Sequence, residues 1–184
     1  RQCEDFRQSE LEQDILIFDQ AKRRSILITT DSVCDLPESL RRTFGIPVCP
    51  YYVCTETGRF LDEQELCPDE LLMHIAGGRK GDSQPPEVED YERFFAQKLT
   101  EAQNVIHISM AKHVSDGYRN AKEAAKSFDN VTVVDSGHLS SGMGLAVLCA
   151  AYMAEHHAGK EEILETVKRI SRFISSAFII DSTH

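Results

Sequence analysis

Long apolar runs are missing from this sequence of 184 residues. The longest, over residues 143–154, is too short to cross a hydrocarbon layer of about 30 Å, so we expect a buried helix there and no membrane insertion. Residues 1–24 also lack the basic, apolar and small-residue order of a secretory signal. The expected compartment is therefore the cytoplasm.

Positive charge is also scarce in this chain. Twenty Lys and Arg residues stand against thirty Asp and Glu residues, and the net charge is -10. A field of this sign repels the phosphates of nucleic acid and of anionic lipid, so the composition excludes general binding to either. It also repels a small free anion, and any anionic ligand must therefore be held by local hydrogen-bond donors.

The motifs of the common cofactor sites are absent. The six cysteines form no C-x-x-C pair and have no histidine at zinc-ligand spacing, so we expect reduced thiols. The sequence contains neither G-x-G-x-x-G nor a P-loop, and we expect no cofactor. It also lacks a G-x-S-x-G elbow, so Ser136 and His138, although they share a loop, are not predicted to act as nucleophile and base.

A glycine cluster follows one predicted strand and opens the buried helix. Its members are Gly137, Gly142 and Gly144. Glycines at such a position allow the backbone to approach a phosphate, but they also allow a helix to pack closely against its neighbour. The sequence leaves both explanations open.

The first 24 residues are predicted to form an added helix outside the core domain. Ser9 and Glu12 make a capping box, and Leu11, Ile15 and Phe18 share one face. A linker helix from a longer parent protein is the simpler interpretation. An interaction helix, through which a regulatory module docks a partner domain, is the alternative.

From residue 25 onward, apolar strands alternate with amphipathic helices. The predicted strands are 25–30, 46–54, 104–110, 131–135 and 177–181, and a turn at Thr57-Gly58 predicts a small hairpin. The predicted helices begin after a cap at Asp35, at Pro68, at Pro85-Pro86, and at residues 115, 141 and 161. Several strands are apolar on both faces, which is typical of parallel strands covered by helices. The pattern predicts a three-layer α/β/α fold with a mostly parallel sheet.

Ligands of such sheets bind beyond the carboxyl ends of the strands, which directs attention to the loops 31–37, 81–86, 110–116 and 135–144. These loops carry small polar groups near helix starts, namely Ser32, Ser83, Gln84, Ser115 and Ser136. Hydroxyl groups and free helix N–H groups can hold a carboxylate or phosphate without catalytic apparatus. The pattern therefore favours a binding protein over an enzyme.

Strand-end carboxylates support an alternative function. Asp31, Asp62 and Asp135 could hold a divalent metal for phosphoryl transfer or hydrolysis, because carboxylates from adjacent strand ends can ligate Mg²⁺. An aspartate directly before a helix is more often a cap, however, and no pair among them has the spacing of a known metal loop.

Several segments together resemble the amino-terminal domain of the DegV family of fatty-acid-binding proteins. They are T-D-S-V-C-D-L-P at 30–37, F-G-I-P-V-C-P at 44–50, S-Q-P at 83–85, V-S with Tyr118 and Ala121 from 114 onward, and V-V-D-S at 133–136 with G-M-G at 142–144. They occur in the family's order and cover about residues 25–184, which we predict to be this domain. The resemblance implies that family members continue into a second, carboxyl-terminal domain, which we expect to lie outside residues 1–184.

The resemblance implies a protein that encloses one long-chain fatty acid, with its tail in an apolar tunnel and its carboxylate hydrogen-bonded by two of the loops. Many members serve a fatty acid kinase by presenting the acyl carboxylate to a separate subunit. The residues at the matching positions, and therefore the predicted ligand contacts, are Ser32, Asp82, Ser83, Gln84, Lys112 and Ser115.

This sequence departs from the family pattern near the expected head group. Asp82 replaces the threonine before Ser-Gln-Pro, Ala111 and Lys112 replace two serines, and Asp116-Gly117 replaces Gly-Thr. An ionised Asp82 would repel a carboxylate by roughly 1 to 4 kcal/mol at about 4 Å. Lys112 could neutralise Asp82 or bind the ligand directly, unless both side chains face solvent.

Overall fold

The computed structural model of the protein describes residues 23–177. The strands are β1 (Arg24–Asp31), β2 (Val48–Cys49), β3 (Tyr52–Thr55), β4 (Gly58–Leu61), β5 (Gly81–Gln84), β6 (Ala102–Ser109) and β7 (Val131–Asp135). The helices are α1 (Glu38–Phe44), α2 (Pro68–Ala76), α3 (Val88–Lys98), α4 (Gly117–Ala124), α5 (Ser140–Glu155) and α6 (Lys160–Ser171). Short 3-10 turns at Ser32–Cys34 and Ala125–Ser127 follow β1 and α4.

The main sheet contains four parallel strands in the order β2-β1-β6-β7. Asp31 at the end of β1 pairs with Cys49 at the end of β2, and Ser109 at the end of β6 pairs with Asp135 at the end of β7. All four carboxyl ends therefore meet along one edge of the sheet, where the candidate site was expected.

Helices cover both faces of this sheet, so the predicted three-layer fold is confirmed. Ile106 and Ile108 of β6 belong to one core. The helices α5 and α6 contribute Val147 and Ile163 to it. Val105, on the opposite face of β6, belongs to a second core with Phe95 of α3 and with Ala121 of α4. Side chains alternate between faces along a strand, which explains how one apolar strand supplies both cores.

A second, antiparallel sheet has the order β4-β3-β5. The hairpin of β3 and β4 around Thr57-Gly58 was predicted, but β5 (Gly81–Gln84) lies where a loop was expected. The sequence G-D-S-Q has no apolar alternation, and its strand conformation comes from pairing with β3. The predicted single strand 46–54 is also wrong, because Pro50 separates β2 from β3 and the two strands join different sheets.

Three predicted boundaries differ from the structure or extend beyond the described residues. Asp35 does not cap α1, since it ends the preceding 3-10 turn with a φ of 52°, and the N-cap position is Pro37. Arg24 opens β1 and so does not belong to the predicted leader helix. The remainder of that helix before residue 23, and the predicted strand 177–181 beyond Ala177, lie outside the described residues.

Helix packing explains two of the glycines that the sequence left open. A Cβ atom on Gly144 would lie 2.9 Å from the carbonyl oxygen of Cys34 and 3.0 Å from Leu36 Cδ2. A Cβ atom on Gly142 would lie 3.2 Å from a methyl group of Ile174. These glycines let α5 approach the segment after β1 and the segment after α6, whereas a Cβ atom at Gly137 would meet no neighbour within 4 Å.

We predict that Gly144→Ala destabilises the protein by about 1 to 3 kcal/mol, because the new methyl group would overlap a backbone carbonyl. Inside a helix the same change normally stabilises by about 0.5 to 1 kcal/mol, so the expected sign is reversed. Urea denaturation measures the difference. Ser141→Ala, at an exposed position of the same helix, is the control and should have little effect. A stabilised Gly144→Ala variant would contradict this packing.

Candidate functional site at the strand ends

The carboxylate of Asp31 lies fully buried at the end of β1 and receives four hydrogen bonds. Its Oδ1 lies 2.7 Å from the Tyr91 hydroxyl, which donates to it, and 3.1 Å from His107 Nε2. Its Oδ2 accepts hydrogen bonds from Ser109 Oγ at 2.7 Å and from the Met110 N–H at 3.2 Å. Each oxygen of the carboxylate has two donors, so neither has a lone pair left for another hydrogen bond. Asp31 is therefore held as an ion inside the protein.

The electrostatics of this cluster favour the ionised form of Asp31. Burial alone raises the pKa of Asp31, but the charge of His107 and the hydrogen bonds from His107, Ser109 and Tyr91 lower it. The net pKa lies below the ordinary value of 3.8. Burial and the nearby Asp31 charge also raise the pKa of Tyr91, so its hydroxyl stays protonated and remains a donor.

Sequence analysis missed Tyr91, His107 and Ser109 as members of this cluster. His107 is fully buried among the rings of Tyr91 and Phe95, and its Nδ1 lies 3.0 Å from the Thr29 hydroxyl. The available signal was a run of polar residues, Thr29 and Asp31 on β1 and His107 and Ser109 on β6, at alternate positions of otherwise apolar strands. Alternate positions share one face of a strand, so these side chains point to the same layer.

A pair of hydroxyl groups lies beyond the strand ends. The Tyr51 hydroxyl and Ser115 Oγ are 3.0 Å apart, and Ser115 Oγ also accepts a hydrogen bond from the Gly117 N–H at the start of α4. Tyr51 is buried, whereas Ser115 is half-buried and reaches the surface. This hydroxyl pair, Tyr51 and Ser115, joins the segment after β2 to the loop after β6.

The hydroxyl pair has one proton more than its internal contact uses. The two groups carry two hydroxyl protons, and the contact between them uses one. The second proton is free to be donated to an acceptor outside the pair. Because burial and the charge of Asp31 raise the pKa of Tyr51, this hydroxyl is not ionised near neutral pH. The pair is therefore a neutral donor suited to a carboxylate or phosphate oxygen.

The structure brings β5 close to the same region. Gln84 pairs with Tyr52, which directly follows the Tyr51 of the hydroxyl pair. Two residues after Gln84, the carbonyl oxygen of Pro86 accepts a hydrogen bond from Asn120 Nδ2 of α4 at 2.9 Å. The segment that begins with Ser83 and Gln84 is thus connected to the helix that follows Ser115, and the side chains of both residues are exposed.

The remaining predicted contacts lie apart from the hydroxyl pair or are already engaged. Lys112 Nζ lies 3.8 Å from Asp135 Oδ2, so Lys112 pairs with the end of β7. Asp82 Oδ1 instead accepts the N–H of Ser83 at 2.9 Å, and both Asp82 and Lys112 are exposed. Ser32 is buried, and its Oγ accepts the Tyr51 N–H at 3.1 Å.

The geometry does not support the catalytic alternatives. Within residues 23–177, no group of three or more His, Cys, Asp or Glu side chains could hold a metal ion. The oxygens of Asp31 are filled by protein donors. Ser136 Oγ contacts the backbone of His138, whose ring instead lies 2.8 Å from the Ser171 carbonyl oxygen, so the two side chains do not form a nucleophile–base pair.

A cavity of about 770 Å³ runs along the outer side of β2, and Ser32 is the one predicted contact that lines it. Its other lining residues include Arg24, Arg41, Glu38 and Glu63, so its walls are charged. A smaller cavity of about 300 Å³ is lined both by apolar residues, such as Ile28 and Phe44, and by charged ones, such as Arg24 and Glu155. No helix in the described range has the length and hydropathy needed to cross a membrane.

Together, the parallel sheet, the saturated carboxylate and the hydroxyl pair define a three-layer α/β protein with hydrogen-bond donors at the carboxyl ends of its strands. The family model of the uncharacterised DegV proteins matches residues 25–184. The chain therefore belongs to the DegV family, and the predicted family is confirmed.

Known relatives agree with this assignment. A DegV domain-containing protein of Caldanaerobacter subterraneus is 31% identical over 159 residues, which cover 85% of this chain and 57% of that protein. A DegV family protein from Thermus thermophilus, whose structure is described as fatty-acid-binding, has 32% identity and a TM-score of 0.75, covering 80% of this chain and 54% of its own.

A Thermotoga maritima protein whose structure is described as revealing a fatty-acid-binding function has 28% identity and a TM-score of 0.70. This match covers 80% of the present chain and 55% of the Thermotoga chain. The chain thus spans just over half the length of the relatives that it matches.

We predict that Asp31→Asn lowers the free energy of unfolding by about 3 to 5 kcal/mol near neutral pH, because an amide N–H would face groups that donate to the carboxylate. The folded-state pKa of Asp31 is depressed, so its stabilisation is complete above its ordinary pKa and decreases as the pH falls through the lower folded value. The difference between wild type and variant should therefore shrink below about pH 4. Denaturant titrations at several pH values measure it, and a difference independent of pH would contradict an ionised Asp31.

Proposed function

We propose that the protein binds a long-chain fatty acid or a related amphipathic carboxylate without transforming it. In this proposal the present chain supplies the hydrogen-bond donors for the carboxylate. The observation that carries it is the hydroxyl pair, Tyr51 and Ser115, with one unused proton at the strand ends. Membership of the DegV family and the fatty-acid-binding descriptions of its solved members support the same ligand class.

The energetics of such a ligand suit a site with few donors. A tail of about sixteen carbons contributes about 0.8 kcal/mol for each buried CH₂ group, so the tail can supply most of the affinity. The head group needs only enough donors to replace its lost water. The net charge of -10 does not attract a carboxylate from a distance, so the ligand must be held by local hydrogen-bond donors. Neutral hydroxyl groups are donors of this kind.

Asp82, Ser83, Gln84 and Lys112 remain proposed contacts at the edge of this site. The β5 residues would approach the ligand from the side of Tyr52, which pairs with Gln84. Lys112 would approach from the end of β7, where it lies beside Asp135. Because Lys112 is paired there, the charge of Asp82 is not compensated by Lys112 and would weaken carboxylate binding from the β5 side.

We also propose that the bound fatty acid is presented to a separate fatty acid kinase subunit in the cytoplasm. The resemblance to the DegV family supports this role. The purified protein loaded with fatty acid should act as substrate for such a kinase with ATP, measured as acyl phosphate trapped by hydroxylamine. Phosphorylation of the free fatty acid at the same rate would contradict a presenting role.

The hydroxyl pair gives the sharpest test of ligand binding. Ser115→Ala and Tyr51→Phe combined in one protein should weaken hexadecanoate binding about tenfold or more, because both hydroxyl protons are then lost and a hydrogen bond to a charged group contributes about 1.5 to 3 kcal/mol. Calorimetry of the purified protein measures the affinity, and mass spectrometry of its organic extract should detect a bound acyl lipid.

The matched control is Ser127→Ala, which removes an exposed hydroxyl bonded to Glu92, beyond the carboxyl end of α4. It should leave hexadecanoate binding unchanged. Unaltered affinity in the combined variant would overturn the assignment of the head group to this pair. An extract without acyl lipid, together with no calorimetric response to fatty acids, would overturn the proposed ligand class.

A further inference from the structure

The polar cluster around Asp31 has no free acceptor for a ligand, yet it lies directly beneath the loop that carries Ser115. Asp31 has no exposed surface, and both of its oxygens are filled. We propose that Asp31 is a positioning residue, which holds both ends of the loop 110–117 and thereby sets the geometry of the hydroxyl pair. This inference rests on the proposed function.

Asp31 holds the beginning of this loop through the backbone. Its Oδ2 accepts the Met110 N–H at 3.2 Å, and Met110 is the first residue after β6. The same oxygen accepts the hydroxyl of Ser109, the last residue of β6, at 2.7 Å. Two adjacent residues are thus attached to one buried oxygen, and the direction in which the chain leaves the sheet is determined there.

Asp31 is connected to the end of the loop by the close packing of Tyr91 against the start of α4. The Tyr91 hydroxyl donates to Asp31 Oδ1 and lies at the start of α4, where a Cβ atom on Gly117 would come within 3.3 Å of it. The same Cβ atom would overlap the Tyr51 hydroxyl, so only glycine lets α4 begin at this distance. Because Ser115 Oγ accepts the Gly117 N–H, a shift of the helix start would move Ser115 away from Tyr51.

The neighbouring residue holds the other member of the pair. Ser32 follows Asp31 directly, and its buried Oγ accepts the Tyr51 N–H at 3.1 Å. Asp31 therefore sets the position of the loop that carries Ser115, and Ser32 sets the position of the Tyr51 backbone. Two consecutive residues at the end of β1 set the 3.0 Å separation of the hydroxyl pair. Ser32, predicted as a ligand contact, serves in this arrangement as a support for Tyr51.

The test compares two ligands that share a tail and differ at the head group, hexadecanoate and its methyl ester. Tyr91→Phe removes one donor to Asp31 and keeps the ring, so it perturbs the loop more gently than Asp31→Asn. We expect Tyr91→Phe to reduce the preference for hexadecanoate over the ester about fivefold to tenfold, because the hydroxyl pair would no longer be aligned with the carboxylate. The affinity for the ester should change less than twofold. Competition binding measures both affinities.

A core variant separates positioning from a general loss of stability. Ile163→Val removes a buried methyl group from the opposite core, away from the Asp31 cluster, and should lower the melting temperature. It should leave the preference for hexadecanoate unchanged. If Tyr91→Phe lowers the affinities for both ligands equally, or changes neither, Asp31 is not a positioning residue for this site.

The wild-type protein distinguishes the two proposals. A wild-type preference for hexadecanoate that survives in Tyr91→Phe overturns only the positioning role of Asp31. A wild-type protein that binds neither ligand, or that binds both equally well, overturns the proposed carboxylate site itself and this inference with it.

Discussion

The arrangement of the strand ends depends on the hydrogen bonds that the buried carboxylate of Asp31 accepts. An ionised carboxylate without partners would cost several kcal/mol to bury, so its burial requires that all of its donors be in place. Those donors come from α3, from β6 and from the residue after β6. The constraint therefore ties three elements together at the edge of the sheet where ligands of such folds bind.

The two faces of the main sheet differ in polarity. The face under α5 and α6 is almost entirely apolar, and glycine at position 144 lets α5 pack against the chain after β1. The face under α3 and α4 combines apolar side chains with the hydrogen-bonded group of Asp31, His107 and Thr29. Both faces thus carry a buried core, and the face under α3 and α4 also holds polar groups at the strand ends.

Some local sequence patterns predicted the structure correctly, and others did not. The parallel strands and the long helices were predictable because their apolar periodicity serves packing directly. Pro50 and the segment Gly81–Gln84 were misjudged, because their conformations depend on which distant strand they meet. The Gly81–Gln84 segment has no strand pattern of its own and forms a strand only because β3 offers a free edge.

The sequence by itself determined the layer order, the family, and the loop that carries Ser115, since periodicity and motif order are local properties. Only the tertiary structure decided that the hydroxyls of Tyr51 and Ser115 meet and that Lys112 pairs with Asp135 instead of Asp82. Such pairings join residues far apart in the chain. They depend on strand order and on register, because one step along a strand sends a side chain to the other face.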